Sequence, residues 1–332
     1  MTTKPLTEPE LDEIYAFAVQ LGKDAGKLLL DAAQARIGGK GSSTQAFSEK
    51  DSAVDIVTKT DEDVETFIRT RITRQYPDHA FVGEESYSKG SSRAYLINDA
   101  TPTWCVDPLG GTVNYTHLFP MFCVSIAGGK PAIGVICVPF LNQLFTACRG
   151  RGAWLNETRR LPLARNPIPS MPPNAPSNCI FSCEWGKDRK DTPEGNLYRK
   201  LDSFLNMAAE LWGRGGKGAM VHGVRSLGSA TMDLAYTAMG AFDIWWEGGC
   251  WEWDVAAGIA ILEEAGGLIT TAKPPDDPLS ARIKDARLGS RLYLAIRPAG
   301  PSDTETGREG QERTVREVWQ RVRELNYTRP AA

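Results

Sequence analysis

Three short segments carry carboxylates where a purely structural chain would have little use for them. Phe81-Val82-Gly83-Glu84-Glu85-Ser86 is an apolar run ending on two consecutive acids. Trp104-Cys105-Val106-Asp107-Pro108-Leu109-Gly110-Gly111-Thr112 is a second apolar run ending on an acid. In Glu247-Gly248-Gly249-Cys250-Trp251-Glu252-Trp253-Asp254, the last acid precedes a helical pattern, VAAGIAIL. Taken singly, each has a plain structural use. Asp254 is a good helix N-cap, Glu84-Glu85 could be a solvated turn, and Asp107 before proline starts turns. Together they read differently, because strand ends and a helix start converge when they meet at one edge of a core. Hard divalent cations such as Mg²⁺ take oxygen ligands, commonly one or two carboxylates plus substrate phosphate. The Gly110-Gly111-Thr112 step adds mobile backbone whose N–H groups suit a phosphate oxyanion. This combination predicts a metal-dependent phosphoryl hydrolase.

Other chemistries find weaker footing. Gly213, Gly215 and Gly218 satisfy G-x-G-x-x-G, but a helical pattern precedes them and a strand follows, the reverse of a dinucleotide site. Lys40 in Gly38-Gly39-Lys40-Gly41 lacks the Ser or Thr that must follow a phosphate-loop lysine. His79, His117 and His222 lie far apart, so catalysis must rest on carboxylates. The chain has 332 residues, 38 Lys+Arg against 41 Asp+Glu and a formal charge of -3, which gives no reason to expect a nucleic-acid or membrane partner. No apolar run reaches the roughly 18 residues of a membrane span, and MTTKPLTEPE has no signal-type core. Seven cysteines, an odd number without zinc-type spacing, point to reduced thiols in an intracellular, cytoplasmic protein.

The elements that must position the acids follow from periodicity. Leu11, Ile14, Ala18, Leu21, Ala25 and Leu28 predict one helical face, with a Thr7/Glu10 capping box at its start. VDIVTKTD reads as a short strand or turn before a second helix that stops at Pro77. From Ala80 the runs AFVG, AYLI, TWCV, FCVSIA, AIGVICV and QLFTAC predict a largely antiparallel sheet. Prolines 167, 169, 172, 173 and 176 mark a connector. Beyond it, strand and helix patterns alternate in the α/β manner. The predicted organisation is an N-terminal α+β half over 8–165, an α/β half over 179–298, and a polar linker with a terminal helix over 299–332. The helix itself is expected over 314–325.

These segments resemble the inositol monophosphatase family. The resemblance runs from about residue 10 to about residue 295. It rests on Gly83-Glu84-Glu85-Ser86, on Asp107-Pro108-Leu109-x-Gly111-Thr112-x-Asn114-Tyr115, and on Trp253-Asp254-Val255-Ala256-Ala257-Gly258. Val54-Asp55-Ile56-Val57-Thr58 followed by Asp61 fits as well, while THLFPMFCVSIA and WEWDVAA are similar to the fungal quinate-cluster branch. The resemblance implies a layered α-β-α-β-α sandwich, usually dimeric, that hydrolyses a myo-inositol phosphate to inositol and phosphate with Mg²⁺ and is inhibited by Li⁺. It implies that Glu84, Asp107 and the Leu109 carbonyl hold one metal, and Asp107 and Asp254 a second beside the leaving oxygen. Thr112 and Glu84 would activate the water, and the N–H groups of Gly111 and Thr112 would take the phosphate. Glu247 and Gly228-Ser229-Ala230 would meet the substrate's hydroxyls, with Lys50 and Asp61 at further polar positions. The expected partners are a small-molecule phosphate monoester and a second copy of the chain.

The sequence departs from the family pattern at two places. The family has Asp-Gly-Thr where this chain has Gly110-Gly111-Thr112, so a second-metal carboxylate is missing and weakened activity is expected. The hairpin within Ser125-Ile126-Ala127-Gly128-Gly129-Lys130-Pro131 is also shorter than the family's. Two alternatives stay open: a non-catalytic relative that binds a phosphorylated ligand or a protein partner, and a related hydrolase of a nucleotide 3'-phosphate or sugar bisphosphate.

Overall fold

The structure is a computed structural model that describes residues 7–37, 46–88, 101–128 and 132–328. The chain divides into two compact units, residues 1–159 with 252–264 and residues 160–251 with 265–331. Three sequence features fall outside the described residues: the Lys40 glycine run, the AYLI segment and the turn at Gly129–Pro131.

The first unit opens with α1 (Glu8–Ile37), whose start is closed by Thr7 and Glu10. The Thr7 N–H donates to Glu10 Oε2 at 2.7 Å, and the Glu10 N–H donates to Thr7 Oγ1 at 3.4 Å. The expected face is buried as far as Ala25, but Leu28 is 40% exposed and Leu29 is fully buried in its stead. Alternating steps of three and four average 3.5 residues per turn, against 3.6 for a straight helix. The buried stripe therefore drifts by about 20° per heptad and continues through Leu29 and Ala33.

A hairpin of β1 (Phe47–Ser52) and β2 (Asp55–Thr58) leads into α2 (Lys59–Gln75). Thr58 caps α2 in a capping box with Asp61. Next come β3 (Ala80–Gly83), α3 (Glu84–Ser88), β4 (Thr103–Gly110) and α4 (Thr112–Thr116). They are followed by β5 (Cys123–Gly128), β6 (Ile133–Val138), β7 (Gln143–Cys148), β8 (Gly152–Leu155) and β9 (Arg159–Arg160). Strands β3 to β9 lie side by side in chain order. β3 runs parallel to β4, and the pairs from β4 through β8 are antiparallel, so the sheet is largely antiparallel as expected. β5 and β6 pair regularly up to Gly128 opposite Ile133.

The helix Glu252–Ala265 belongs with this first unit up to Glu264, although its sequence position lies beyond the proline connector. Its contacts explain the grouping. Ser125 Oγ donates to the Trp253 carbonyl at 3.2 Å, and the Gly150 and Gly152 N–H groups donate to the Glu264 carboxylate at 2.9 Å each.

The proline-rich connector contains neither helix nor strand from residue 161 to 179. The second unit then alternates: β10 (Ile180–Ser182), α5 (Asn196–Ala208), a single turn α6 (Gly213–Gly216), β11 (Gly223–Arg225), α7 (Ala230–Met239) and β12 (Ile244–Gly248). After the helix just described, which is α8, come β13 (Leu268–Thr270), β14 (Leu292–Ile296) and α9 (Gly307–Trp319). The sheet order is β11-β10-β12-β14-β13, parallel among the first three strands and antiparallel in the last two pairings. Helix α9 begins seven residues before its expected start, because Thr306 and Glu309 form a capping box inside the polar stretch. Helix α5 is unusual in burying Lys200, Ser203 and Asn206 while leaving Tyr198, Leu201 and Leu205 more than a third exposed.

Candidate metal and phosphate site

Strand register in the first unit explains how distant acids meet. Gly83 of β3 pairs with Val106 of β4, so Glu84, which opens α3, and Asp107 of β4 follow directly after paired residues. Asp107 is paired across β4–β5 with Ser125, whose hydroxyl holds the Trp253 carbonyl just before Asp254. Glu84, Asp107 and Asp254 each offer an oxygen, and these oxygens all lie within 4.8 Å of one another.

The backbone after Asp107 is shaped by its own side chain. The Leu109 N–H donates to Asp107 Oδ1 at 3.0 Å, and the β4–β5 register shifts between Asp107 and Gly110. Gly111 follows at φ 88°, a left-handed conformation that glycine adopts without steric cost, and α4 begins at Thr112. Thr112 Oγ1 lies 3.1 Å from Asp61 Oδ1 and 3.0 Å from the Leu109 carbonyl. A hydroxyl has one proton, and both acceptors are protein groups, so its lone pairs remain to accept from a water.

Charge in this cluster is strongly unbalanced. Burial, followed by Glu84 and Asp254, raises the Asp107 carboxyl well above the ordinary carboxylate range. Burial pushes Asp61 up to about 6 and Glu85 up to about 7, against the lowering effect of Lys50 on both. Lys50 Nζ donates to Glu84 Oε1 at 3.0 Å and Glu85 Oε1 at 2.7 Å. Burial opposes its charge, but the two glutamates prevail and its pKa is raised. Converging carboxylates that raise one another's pKa in a buried setting suit a hard divalent cation, so the donor set fits Mg²⁺ or Mn²⁺. Gly110 brings no side-chain oxygen to it.

Glu65, which the sequence reading passed over, holds the acidic turn in place. Its carboxylate accepts the N–H groups of Glu85 and Ser86 at 2.7 Å each. The available signal was its place on the buried stripe of α2 with Asp61, Ile68 and Ile72.

The remaining residues singled out from the sequence lie in the second unit. Glu247, at the end of β12, is buried and ion-paired with Lys200. The N–H groups of Glu184 and Gly248 also donate to its carboxylate, at 2.7 Å each. Gly228, Ser229 and Ala230 form the entry to α7, with Ser229 as N-cap. The G-x-G-x-x-G run contains α6, follows α5 and precedes β11, which is the order read from the sequence.

A carboxylate trio with Asp107 buried and Glu84 and Asp254 partly exposed, beside a Gly-Thr turn and carried on α/β elements, forms a donor set that could hold a divalent cation. The sequence profile of the Inositol monophosphatase family matches residues 10–323. "Quinic acid degradation cluster protein x" of Neurospora crassa is 71% identical, with all of both chains covered. "Inositol monophosphatase 2" of Saccharomyces cerevisiae is 37% identical over 85% of this chain and 88% of its own. The solved inositol monophosphatase of Anabaena superposes with a TM-score of 0.66 at 27% identity, covering 95% of this chain and 98% of that one. The chain belongs to the inositol monophosphatase family, a family of phosphatases, and has its α/β sandwich fold. Among the described residues, no helix is long and apolar enough to cross a membrane.

Proposed function

We propose that the chain is a Mg²⁺-dependent phosphate monoester hydrolase that converts a myo-inositol phosphate to inositol and phosphate, at a rate lowered by Gly110. The observation that carries this reading is the convergence of Glu84, Asp107 and Asp254 within 4.8 Å, beside a threonine hydroxyl whose proton is committed to protein acceptors. Glu84, Asp107, Asp254 and the Leu109 carbonyl are the groups that would hold metal. Bound there, a divalent cation supplies positive charge to phosphate oxygens and lowers the pKa of a coordinated water. The N–H groups of Gly111 and Thr112 receive the phosphate. Thr112 accepts a hydrogen bond from the attacking water and orients it, with Asp61 fixing the threonine rotamer and Glu84 drawing on the water's proton. Attack on phosphorus would break the bond to the inositol oxygen, which would leave as the alcohol by taking a proton from solvent water, while the attacking water's proton passes to Glu84. Glu247 and Gly228–Ala230 take the leaving group's hydroxyls.

Metal binding is tested without catalysis. A ligand at about 100 times its dissociation constant stabilises the folded state by about 2.7 kcal/mol. Excess Mn²⁺ is therefore expected to raise the melting midpoint by about 5 °C, and Asp107→Asn to abolish the rise. Ligand carboxylates must be ionised to bind, so the rise should grow between pH 5 and pH 8. An unmutated, metal-stripped protein that shows no rise at either pH overturns the site.

Gly110 favours one second reading, a relative that binds a phosphorylated ligand without cleaving it. Phosphate monoester assays with Mg²⁺ titrated upward separate the two: measurable release supports the hydrolase, and binding without release supports the second reading.

We also propose a cytoplasmic homodimer. All seven cysteines are free thiols, in keeping with a reducing compartment. The outward stripe of Tyr198, Leu201 and Leu205 offers an apolar face for a second copy. Light scattering is expected to give twice 36.3 kDa, and the paired change Leu201→Glu with Leu205→Glu to give a monomer. A monomeric parent at micromolar concentration removes the dimer.

A further inference from the structure

Two segments of the second unit carry the substrate's hydroxyls in the proposed function, and one residue touches both. Glu184 follows β10, where the Cys183 N–H donates to the Arg225 carbonyl at 3.1 Å and fixes the strand end. The Glu184 backbone N–H donates to Glu247 Oε2 at 2.7 Å, and its carbonyl accepts Lys200 Nζ at 2.8 Å. Its side chain turns to the other segment. Oε1 accepts the N–H groups of Leu227 and Gly228 at 2.6 and 2.9 Å, and Oε2 accepts the Ser226 hydroxyl at 2.7 Å. Gly228 sits at φ 77°, a left-handed turn conformation, immediately before the α7 N-cap Ser229. Ser182, two residues earlier, anchors the other side through a 2.6 Å bond from its hydroxyl to Asp233 in the first turn of α7.

We propose that Glu184 is a positioning residue for polyol recognition, setting the Ser226–Gly228 turn that meets the leaving group against the buried Glu247–Lys200 pair behind it. The proposal rests on the hydrolase reading above. Three donors converge on one half-buried carboxylate, and removing it takes these three hydrogen bonds away together. None of these Glu184 bonds goes to Glu84, Asp107 or Asp254. Glu184 therefore acts on how the leaving group is held, and the chemistry at phosphorus is left to Thr112 and its neighbours.

The test compares Glu184→Ala, Glu184→Gln and Glu184→Asp. Glu184→Ala is expected to raise KM for a myo-inositol monophosphate about tenfold while kcat changes by less than about threefold. Hydrolysis of p-nitrophenyl phosphate, which has no hydroxyls to place, should stay unchanged, as should the Mn²⁺-induced melting shift. Glu184→Gln should restore KM, because its amide oxygen can take the two N–H groups while its NH₂ donates to the Ser226 hydroxyl. Glu184→Asp, one methylene shorter, should fall between and remains available if the alanine variant does not fold. Hydrogen exchange gives a readout independent of turnover: the Leu227 and Gly228 amides should exchange at least about tenfold faster in Glu184→Ala and regain protection in Glu184→Gln. Equal exchange in parent and alanine variant, or the same rise in KM for p-nitrophenyl phosphate, overturns the proposal. If the parent releases no phosphate from any polyol ester, the hydrolase reading fails, and amide exchange alone still decides whether Glu184 sets the turn.

Discussion

Gly110→Asp is expected to raise turnover on a myo-inositol monophosphate about a hundredfold, the effect of about 2.7 kcal/mol on the barrier. The family pattern has an aspartate at this step, and without it the proposed second metal keeps Asp107 and Asp254 as its only carboxylates. Occupancy is then weakened rather than forbidden, so the parent should work only at high Mg²⁺ and the variant at much lower concentration. The backbone permits the change. Gly110 is the last residue of β4, paired with Cys123, and the left-handed turn falls one residue later at Gly111. A second readout follows from charge. Without metal, a new buried carboxylate beside Asp107 and Asp254 costs folding energy, so metal-stripped Gly110→Asp should melt below the parent and metal-saturated Gly110→Asp above it. Steady-state kinetics over a Mg²⁺ titration decide the matter: equal rates for parent and variant at every concentration defeat the second-metal argument.

The ease with which this site was read has a physical reason. Acids next to apolar runs are conspicuous, because burying a carboxylate is costly unless it is paired, hydrogen-bonded or bound to a metal; Glu84 and Asp107 stand out after apolar strand runs, and Asp254 at the start of an apolar helix. Strand patterns from Ala80 to Cys148 gave most of the first sheet, since alternation and turn residues are local signals. What stayed hidden depends on contacts distant in sequence. Glu65 looks like any helix acid until its partners, 20 residues on, are known. Helix α8 reads as part of the second half until the Trp253 carbonyl and Glu264 are seen to bond with the first unit. Strand β8, GAWL, is too short and too poor in β-branched residues to stand out. Lys200 and Glu184 were invisible for the same reason as Glu65: a charged residue in a polar-looking helix or strand end gives no local sign of burial.

Lys200→Met is expected to be the most destabilising single change among these charged residues. The Lys200 side chain is fully buried and the Glu247 side chain is 3% exposed, and the two form an ion pair. Replacing a whole buried pair by apolar groups can be neutral, but removing one partner leaves an uncompensated charge and costs about 3–5 kcal/mol. Burial already opposes both charges. For Lys200 the Glu247 carboxylate outweighs it and the pKa is raised; for Glu247 burial outweighs Lys200 and the pKa is again raised. Without the ammonium, Glu247 must rise further, kept ionised only by the N–H groups of Glu184 and Gly248. A carboxyl whose folded pKa exceeds its unfolded one stabilises the fold while protonated, and that contribution is lost as pH rises through the folded value. The deficit of Lys200→Met relative to the parent should therefore be smaller at pH 5 than at pH 8. Adding Glu247→Gln should recover much of the loss at pH 8 and remove the difference between the two pH values. Urea denaturation of the parent, the single variant and the double variant at both pH values provides the measurement. A Lys200→Met midpoint equal to the parent's at pH 8 would mean that the buried pair does not hold Glu247, and that the bonds from Glu184 and Gly248 suffice alone.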